Sequence, residues 1–379
     1  ADIRFWGGDL MHATGGALVK HYKDRAFMGF IEVIMNLNKI FKDITFCKKD
    51  MSNFNPDVVV FIDNSGFNLR IAKWAKQQSF RTHYYISPQV WASRASRVKA
   101  IKRDIDAMYV ILPFVEPFYK KHGYDVTFVG HPLIDAIANR EKVDEFEFRD
   151  EYKLGDKPII ALLPGSRKQE IKKMLSVMLS LVDHYPNHQF VIAGAPSQDY
   201  SFYEPFINSH NVKFISNKTY DLLSISSGAL VTSGTATLET ALFKVPQVVC
   251  YKGSTISYQI AKRIITLKFI SLVNLVIDRE VVTELIQNDF NKKRLRQELD
   301  KILSSETRKR LFLDYYELEE DIKDVGITPK QIMEKQFYEV CGGKWDVYLQ
   351  TIEWDTWMEP DDPKTILEQI KEREIRNHP

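Results

Sequence analysis

Three stretches of the chain carry residue types that can do chemistry. The first ends in an acid: the apolar run DVVVFID closes at Asp63, and Asn64-Ser65-Gly66-Phe67-Asn68 follows. A carboxylate at the carboxyl end of a buried strand is placed to act as a general base, although an aspartate there also serves as a turn former or cap. The second is LLPGSRKQEI, residues 162–171. An apolar strand meets Pro164 and Gly165, which break it, and Ser166 and Arg167 then lead into helical spacing. A helix start offers unpaired N–H groups and partial positive charge, which suit a phosphate. Gly165 admits an anion close to the backbone, and Arg167 adds a cation with bidentate reach. An ordinary strand-to-helix turn with a solvent-facing arginine has the same local pattern. Ser166 stands where an N-cap belongs, with Gln169 three residues on in a capping-box pattern.

The third stretch is VTSGTATLETALF, residues 231–243. Ser233, Gly234, Thr235 and Ala236 supply hydroxyls and N–H groups at another helix start. Glu239 lies one turn in, where a carboxylate can accept from a ribose diol or merely complement the helix dipole. Beside a second phosphate-type turn, the ribose is the better reading. Asp104 and Asp106 form a D-x-D, but that triplet is common and precedes a strand rather than following one.

These residues need elements to hold them. Short apolar runs alternate with helical patterns: DVVVFID, THYYIS, AMYVILPF and VTFVG in the first half, then IIALLPG, QFVIAGA, VKFIS, GALVTSG and QVVCYKG in the second. Such alternation predicts parallel sheets covered by helices. The fold class expected is α/β, with two facing Rossmann-like domains and a central cleft, plus a helical C-terminal extension. Ligands in open α/β sheets bind beyond the carboxyl ends of strands, so residues just after strands carry most weight. The divisions expected are 1–138, a charged linker 139–157 with no apolar period, 158–320, and an atypical tail 321–379. Three of the six tryptophans lie in that tail, Trp345, Trp354 and Trp357.

The totals set bounds. With 379 residues the chain is too long for one compact core. A formal charge of +2 gives no global electrostatic case for nucleic acid. Three cysteines, far apart, make no disulfide framework, and no cysteine or histidine pair has zinc-ligand spacing. No apolar run reaches the length that crosses a bilayer. The segment AFMGFIEVIMNLNKIF is nonetheless unusually apolar: Phe27, Met28, Phe30, Ile31 and Ile34 spread over more than one face. It is either core-facing or a patch for acyl chains or a membrane surface. The basic segment SRASRVKAIKR is a solvated face or meets anionic head groups.

ISPQVWASRASRVKAIKRDID, VGHPLIDAI, LLPGSRKQEI, SGTATLETALFKVPQVV and SLVNLVIDREVVTELIQ occur in that order. Together they resemble the lipid-A-disaccharide synthase family over roughly residues 2 to 318. The resemblance implies a bacterial GT-B glycosyltransferase that joins UDP-2,3-diacylglucosamine to 2,3-diacylglucosamine 1-phosphate (lipid X), forms a β-1,6 disaccharide and releases UDP. It implies action at the inner face of the cytoplasmic membrane, no cofactor or metal, no nucleic-acid partner, and room for a homodimer. By position, Asp63 matches the family's essential acid in I-D-x-x-x-F-N, and Arg167 its UDP-contacting arginine. Glu239 matches the glutamate after S-G-T-A, Asn274 an asparagine near the nucleotide, and the stretch from Met28 to Ile31 a region linked to membrane and acyl chains. Gly66 stands where many members have a second acid, the family's N-terminal glycine-rich stretch is missing, and the last sixty or so residues do not resemble the family's ending. The alternatives are another UDP-N-acetylglucosamine enzyme of the same architecture, such as a 2-epimerase or a lipid-linked N-acetylglucosaminyl transferase, or a non-catalytic nucleotide- or lipid-binding remnant.

Overall fold

A computed structural model describes residues 2–21, 37–93, 95–208, 210–253, 267–323 and, by backbone alone, 347–350. The apolar stretch with Phe27, Met28, Phe30, Ile31 and Ile34 lies outside the described residues. The chain divides into two compact units, residues 1–140 with 322–379, and residues 141–321.

The first unit is built on a parallel sheet of β1 (Ile3–Gly7), β2 (Ala17–His21), β3 (Val58–Ile62), β4 (Arg81–Tyr85), β5 (Ala107–Val110), β6 (Thr127–Phe128) and a strand from the tail, Val347–Gln350. The strand order is β2, β1, the tail strand, β3, β4, β5, β6. β3 is buried at all five positions, which is why it reads as an unbroken apolar run rather than an alternating one. From β3 the chain winds outward to β6, and from β1 it winds the other way to β2. The order therefore reverses between β1 and β3, and Asp63 follows β3 at that switch point, where open sheets of this kind take ligands.

The tail corrects an expectation. It was read as helical, yet residues 347–350 pair in parallel with β1 on one side and β3 on the other. Val-Tyr-Leu-Gln has the β-branched and aromatic content that suits a strand flanked on both edges.

The second unit holds β7 (Ile159–Leu163), β8 (Gln189–Gly194), β9 (Val212–Ser216), β10 (Ser226–Thr232), β11 (Gln247–Tyr251) and β12 (Glu284–Ile286), all parallel, in the order β12, β11, β10, β7, β8, β9. Its core joins Ile159, Ala161 and Leu163 of β7 to Val191, Ala229, Val231, Leu222 and Leu223. The segment expected to be a linker is different from a plain connection. It contains the helix Glu145–Glu151, capped by Asp144, and Phe148 is buried in this same core. One aromatic anchor is enough to seat a helix whose other residues are mostly charged.

Candidate functional site

The two turns of the second unit lie side by side. β7 and β10 are adjacent and in register, Leu163 opposite Val231, so the chain leaves both strands at the same edge of the sheet. Gly165 follows β7 with φ +101°, a conformation that favours glycine. A Cβ placed on it would lie 2.3 Å from Glu170 Oε2, so the Glu170 side chain rests against the turn. Ser197, just after β8, donates from Oγ to the Ser166 carbonyl at 3.0 Å and ties a third strand end to the turn.

The helix begins one residue later than the capping-box reading placed it. It runs Lys168–Leu179 with Arg167 in the N-cap position and no side-chain cap, because the bend at Gly165 uses an extra residue. Ser166 is therefore an exposed turn residue, and Glu170, not Gln169, is the third helical residue. The guanidinium of Arg167, exposed, makes no hydrogen bond or ion pair among the described residues.

The second turn is similar. The helix Thr235–Leu242 starts at Gly234, again without a side-chain cap. Some helices here are capped by side chains, with His131, Asp144, Ser271 and Asn291 each accepting from a first-turn N–H, and others, such as Ser65–Gln77, Tyr200–Ile207 and Thr219–Ser224, are not. What sets the starts at Gly165–Lys168 and Gly234–Ala236 apart is their place: two uncapped starts follow adjacent strands and sum their partial positive charges at one sheet edge. Ser233 donates from Oγ to the Ile270 carbonyl at 2.8 Å, so its hydroxyl fixes a neighbouring loop. Glu239, part-buried, accepts from the Tyr220 hydroxyl at 3.0 Å.

Asn274 is placed differently from the expectation of a nucleotide contact. It is fully buried, its Nδ2 donates to Val282 O (2.8 Å) and Glu284 Oε1 (2.9 Å), and its Oδ1 accepts from the N–H groups of Val281 (2.8 Å) and Val282 (3.0 Å). That uses the whole amide. Glu284 also accepts from Ile270 N and Ser271 N, each at 2.9 Å. Asn274 and Glu284 thus build the loop that Ser233 grips, and Asn274 acts on the second turn only through that loop.

In the first unit, Asp63 (φ +45°) and Asn64 (φ +41°) are both left-handed. Neither is glycine, and such residues cost on the order of 1–3 kcal/mol each unless their surroundings enforce them. Here the Asp63 carbonyl accepts from Asn68 Nδ2 at 2.8 Å and from the Tyr84 hydroxyl, while Asp63 N donates to Tyr85 O at 3.0 Å. Burial, and then the Asp63 charge, push the Tyr84 phenol well up, so it stays a donor. The double left-handed step turns the chain sharply off β3 into the helix Ser65–Gln77 and leaves Asp63 half-buried rather than sealed in the core. A Cβ on Gly66, the exposed residue where many family members carry an acid, would meet nothing within 4 Å.

The residues set aside earlier have structural roles. Asp106 pairs with Lys76 and accepts from Thr82 N and Oγ1, and Asp104 pairs with Arg103. Lys99, Lys102 and Arg103 lie on an exposed face. Among the described residues, no group of three or more His, Cys, Asp or Glu is arranged to hold a metal, and no helix is long and apolar enough to cross a membrane.

The sequence model of lipid-A-disaccharide synthetase (LpxB) matches residues 1–334. A lipid-A-disaccharide synthase of Syntrophus aciditrophicus is 39% identical over 321 residues, 81% of this chain and 82% of the relative. Another, from Coxiella burnetii, is 37% identical over 304 residues, 79% and 80% of the two chains. Among solved structures the chain resembles the S. aureus MnaA-UDP co-structure (TM-score 0.62, 14% identity, 90% of this chain and 97% of that one). It also resembles the UDP-GlcNAc 2-epimerase from Neisseria meningitidis bound to UDP-GlcNAc (TM-score 0.56, 14% identity, 89% and 100%). These last two share the fold: two Rossmann-like α/β domains. The matched length and the curated relatives show that this chain belongs to the lipid-A-disaccharide synthetase family.

Proposed function

We propose that the chain joins UDP-2,3-diacylglucosamine to lipid X with inversion at the anomeric carbon, giving the lipid A disaccharide 1-phosphate and UDP. Family membership makes it a glycosyltransferase of lipid A synthesis. The readings as another UDP-N-acetylglucosamine enzyme (a 2-epimerase or a lipid-linked N-acetylglucosaminyl transferase) or as a non-catalytic remnant are not favoured, since the family model and the curated relatives are lipid-A-disaccharide synthases and the epimerases share only the fold. The observation that carries the assignment of parts is the pair of uncapped helix starts at one sheet edge, with Arg167 between bulk water and the turn.

In this scheme the N–H groups at Gly165–Lys168 and Gly234–Ala236, with Arg167, take the diphosphate, and Glu239 takes the ribose. Donors fixed in advance stabilise the charge that develops on the leaving UDP. Asp63 removes the proton from the acceptor's 6-hydroxyl as that oxygen attacks the anomeric carbon. No metal or other cofactor has a part in the scheme. Both substrates carry acyl chains, so the enzyme works at a membrane surface, the inner face of the cytoplasmic membrane, with the apolar 26–41 segment as the assigned contact.

The test is Asp63→Asn, assayed for UDP release and for UDP binding. Loss of a general base costs roughly 10²–10⁴ in rate, so turnover should fall by that factor while the UDP dissociation constant stays close to wild type. Near-normal turnover would remove Asp63 from the mechanism.

A further inference from the structure

We propose that Tyr220 is a positioning residue that holds the Glu239 carboxylate in place for a ribose, so that a residue distant in sequence helps set the preference for a ribonucleotide. The inference rests on the assignment of Glu239 to the ribose given above. Tyr220 sits in the helix Thr219–Ser224, between β9 and β10, and is 7% exposed. Its hydroxyl donates to Glu239 Oε1 at 3.0 Å, and its ring packs on Phe243 with centroids 5.2 Å apart.

Both ends of this hydrogen bond stand on anchored elements. Leu222 and Leu223 of the tyrosine's helix are fully buried in the core of the second unit, as are Leu238 and Ala241 of the glutamate's helix. The contact therefore fixes the carboxylate relative to the sheet, not merely relative to a loop. Glutamate is among the side chains with most rotamer freedom to lose. A part-buried glutamate already held by a phenol gives up less of that freedom when a ligand arrives, which favours binding through preorganisation. The bond also orients the carboxylate plane, and a ribose diol presents two O–H donors in a fixed geometry to the carboxylate oxygens that accept them. Neither tyrosine nor its spacing marks this role in the sequence: the two residues are 19 apart and meet only in the fold, one in the helix that follows β9 and the other in the helix that follows β10.

A purely structural tyrosine, present to pack on Phe243, makes a different prediction: losing the hydroxyl would leave nucleotide selectivity untouched. Calorimetric titration of the whole chain with UDP and with 2′-deoxy-UDP separates the two. Wild type should bind UDP more tightly, and Glu239→Gln should remove most of that preference. Tyr220→Phe, which keeps the ring, should lower the preference about three- to tenfold, as expected for one hydrogen bond lost from the site. In the Glu239→Gln background, Tyr220→Phe should change nothing further. Thermal melts of each variant confirm that the protein titrated is folded. If Tyr220→Phe keeps the full preference while Glu239→Gln loses it, the positioning role is wrong and the ribose assignment stands. If wild type shows no preference, or Glu239→Gln retains it, the ribose assignment itself fails and the inference with it.

Discussion

Gly165→Ala puts the first anion turn under direct test. Gly165 has φ +101°, beyond the left-handed region that non-glycine residues occasionally adopt, and strain of this kind costs ~1–3 kcal/mol. The new Cβ would also lie 2.3, 2.8 and 2.9 Å from Oε2, Cδ and Cγ of Glu170. That side chain is flexible and can swing away, so the clash displaces Glu170 rather than breaking the fold. Alanine recovers about 0.4–1 kcal/mol by restricting the unfolded chain. The balance is a loss of about 1–2 kcal/mol, and at ~2–4 °C per kcal/mol for a unit of this size the melting temperature should fall several degrees.

Binding should suffer more. The turn aims backbone N–H groups at the diphosphate, and misdirecting one charge-assisted hydrogen bond costs ~1.5–3 kcal/mol, about 10- to 100-fold in the UDP dissociation constant. Gly155→Ala is the matched control. Gly155 also has positive φ, +66°, but a Cβ there meets nothing within 4 Å, and it lies outside the proposed site. The assay is calorimetric titration of UDP into both variants, with melts alongside. If Gly165→Ala and Gly155→Ala bind UDP alike, the turn after β7 does not hold the diphosphate and the reasoning from its geometry is wrong.

Two further outcomes follow from the structure. Arg167→Ala removes an exposed guanidinium, so the melting temperature should hold while the UDP dissociation constant rises about 10-fold or more; an unchanged constant would deny it a role at the diphosphate. Burial lowers the pKa of His131 to about 3 and, offset in part by Asp106, that of His83 to about 4. Both are therefore neutral when folded, whereas the unfolded chain takes up their protons below about pH 6.5. Stability is fully present above that pH and falls as the pH drops, by ~1.4 kcal/mol per unit for each group. From pH 7 to pH 5 the two together should cost ~4 kcal/mol, read as a falling urea midpoint. His131→Asn, which keeps a capping acceptor for Leu133 N, should remove about half of that slope; a stability flat from pH 7 to pH 5 would contradict the burial argument.

What could be read beforehand was what local chemistry determines. β3 and β7 are buried on both faces, so they appear as five consecutive apolar residues, and Pro164-Gly165 announces where the second of them stops. Asp63 was legible because it ends such a run. The left-handed step at Asp63 and Asn64 was not, because Tyr84 and Asn68 enforce it from a neighbouring strand and a following helix. Ser166 looked like a cap because serine often is one, but a glycine at φ +101° lengthened the turn by a residue. The family resemblance set Asn274 near the nucleotide, and only the fold reveals that Glu284, the Val282 carbonyl and two N–H groups consume its amide. Phe148 hid a helix inside a charged stretch, and the tail strand Val347–Gln350, four residues long, gave too little period to be told from its surroundings. The left-handed step, the seat of Phe148 and the tail strand depend on partners far away in sequence, whereas Ser166 and Asn274 are decided by backbone geometry and partners close by.

The most direct test of the whole account is UDP release by the protein given UDP-2,3-diacylglucosamine and lipid X, against the same reaction with unacylated UDP-N-acetylglucosamine as donor. The account predicts release that requires both acylated substrates and yields the disaccharide. Release that proceeds as well with the unacylated sugar nucleotide, or without lipid X, would contradict it.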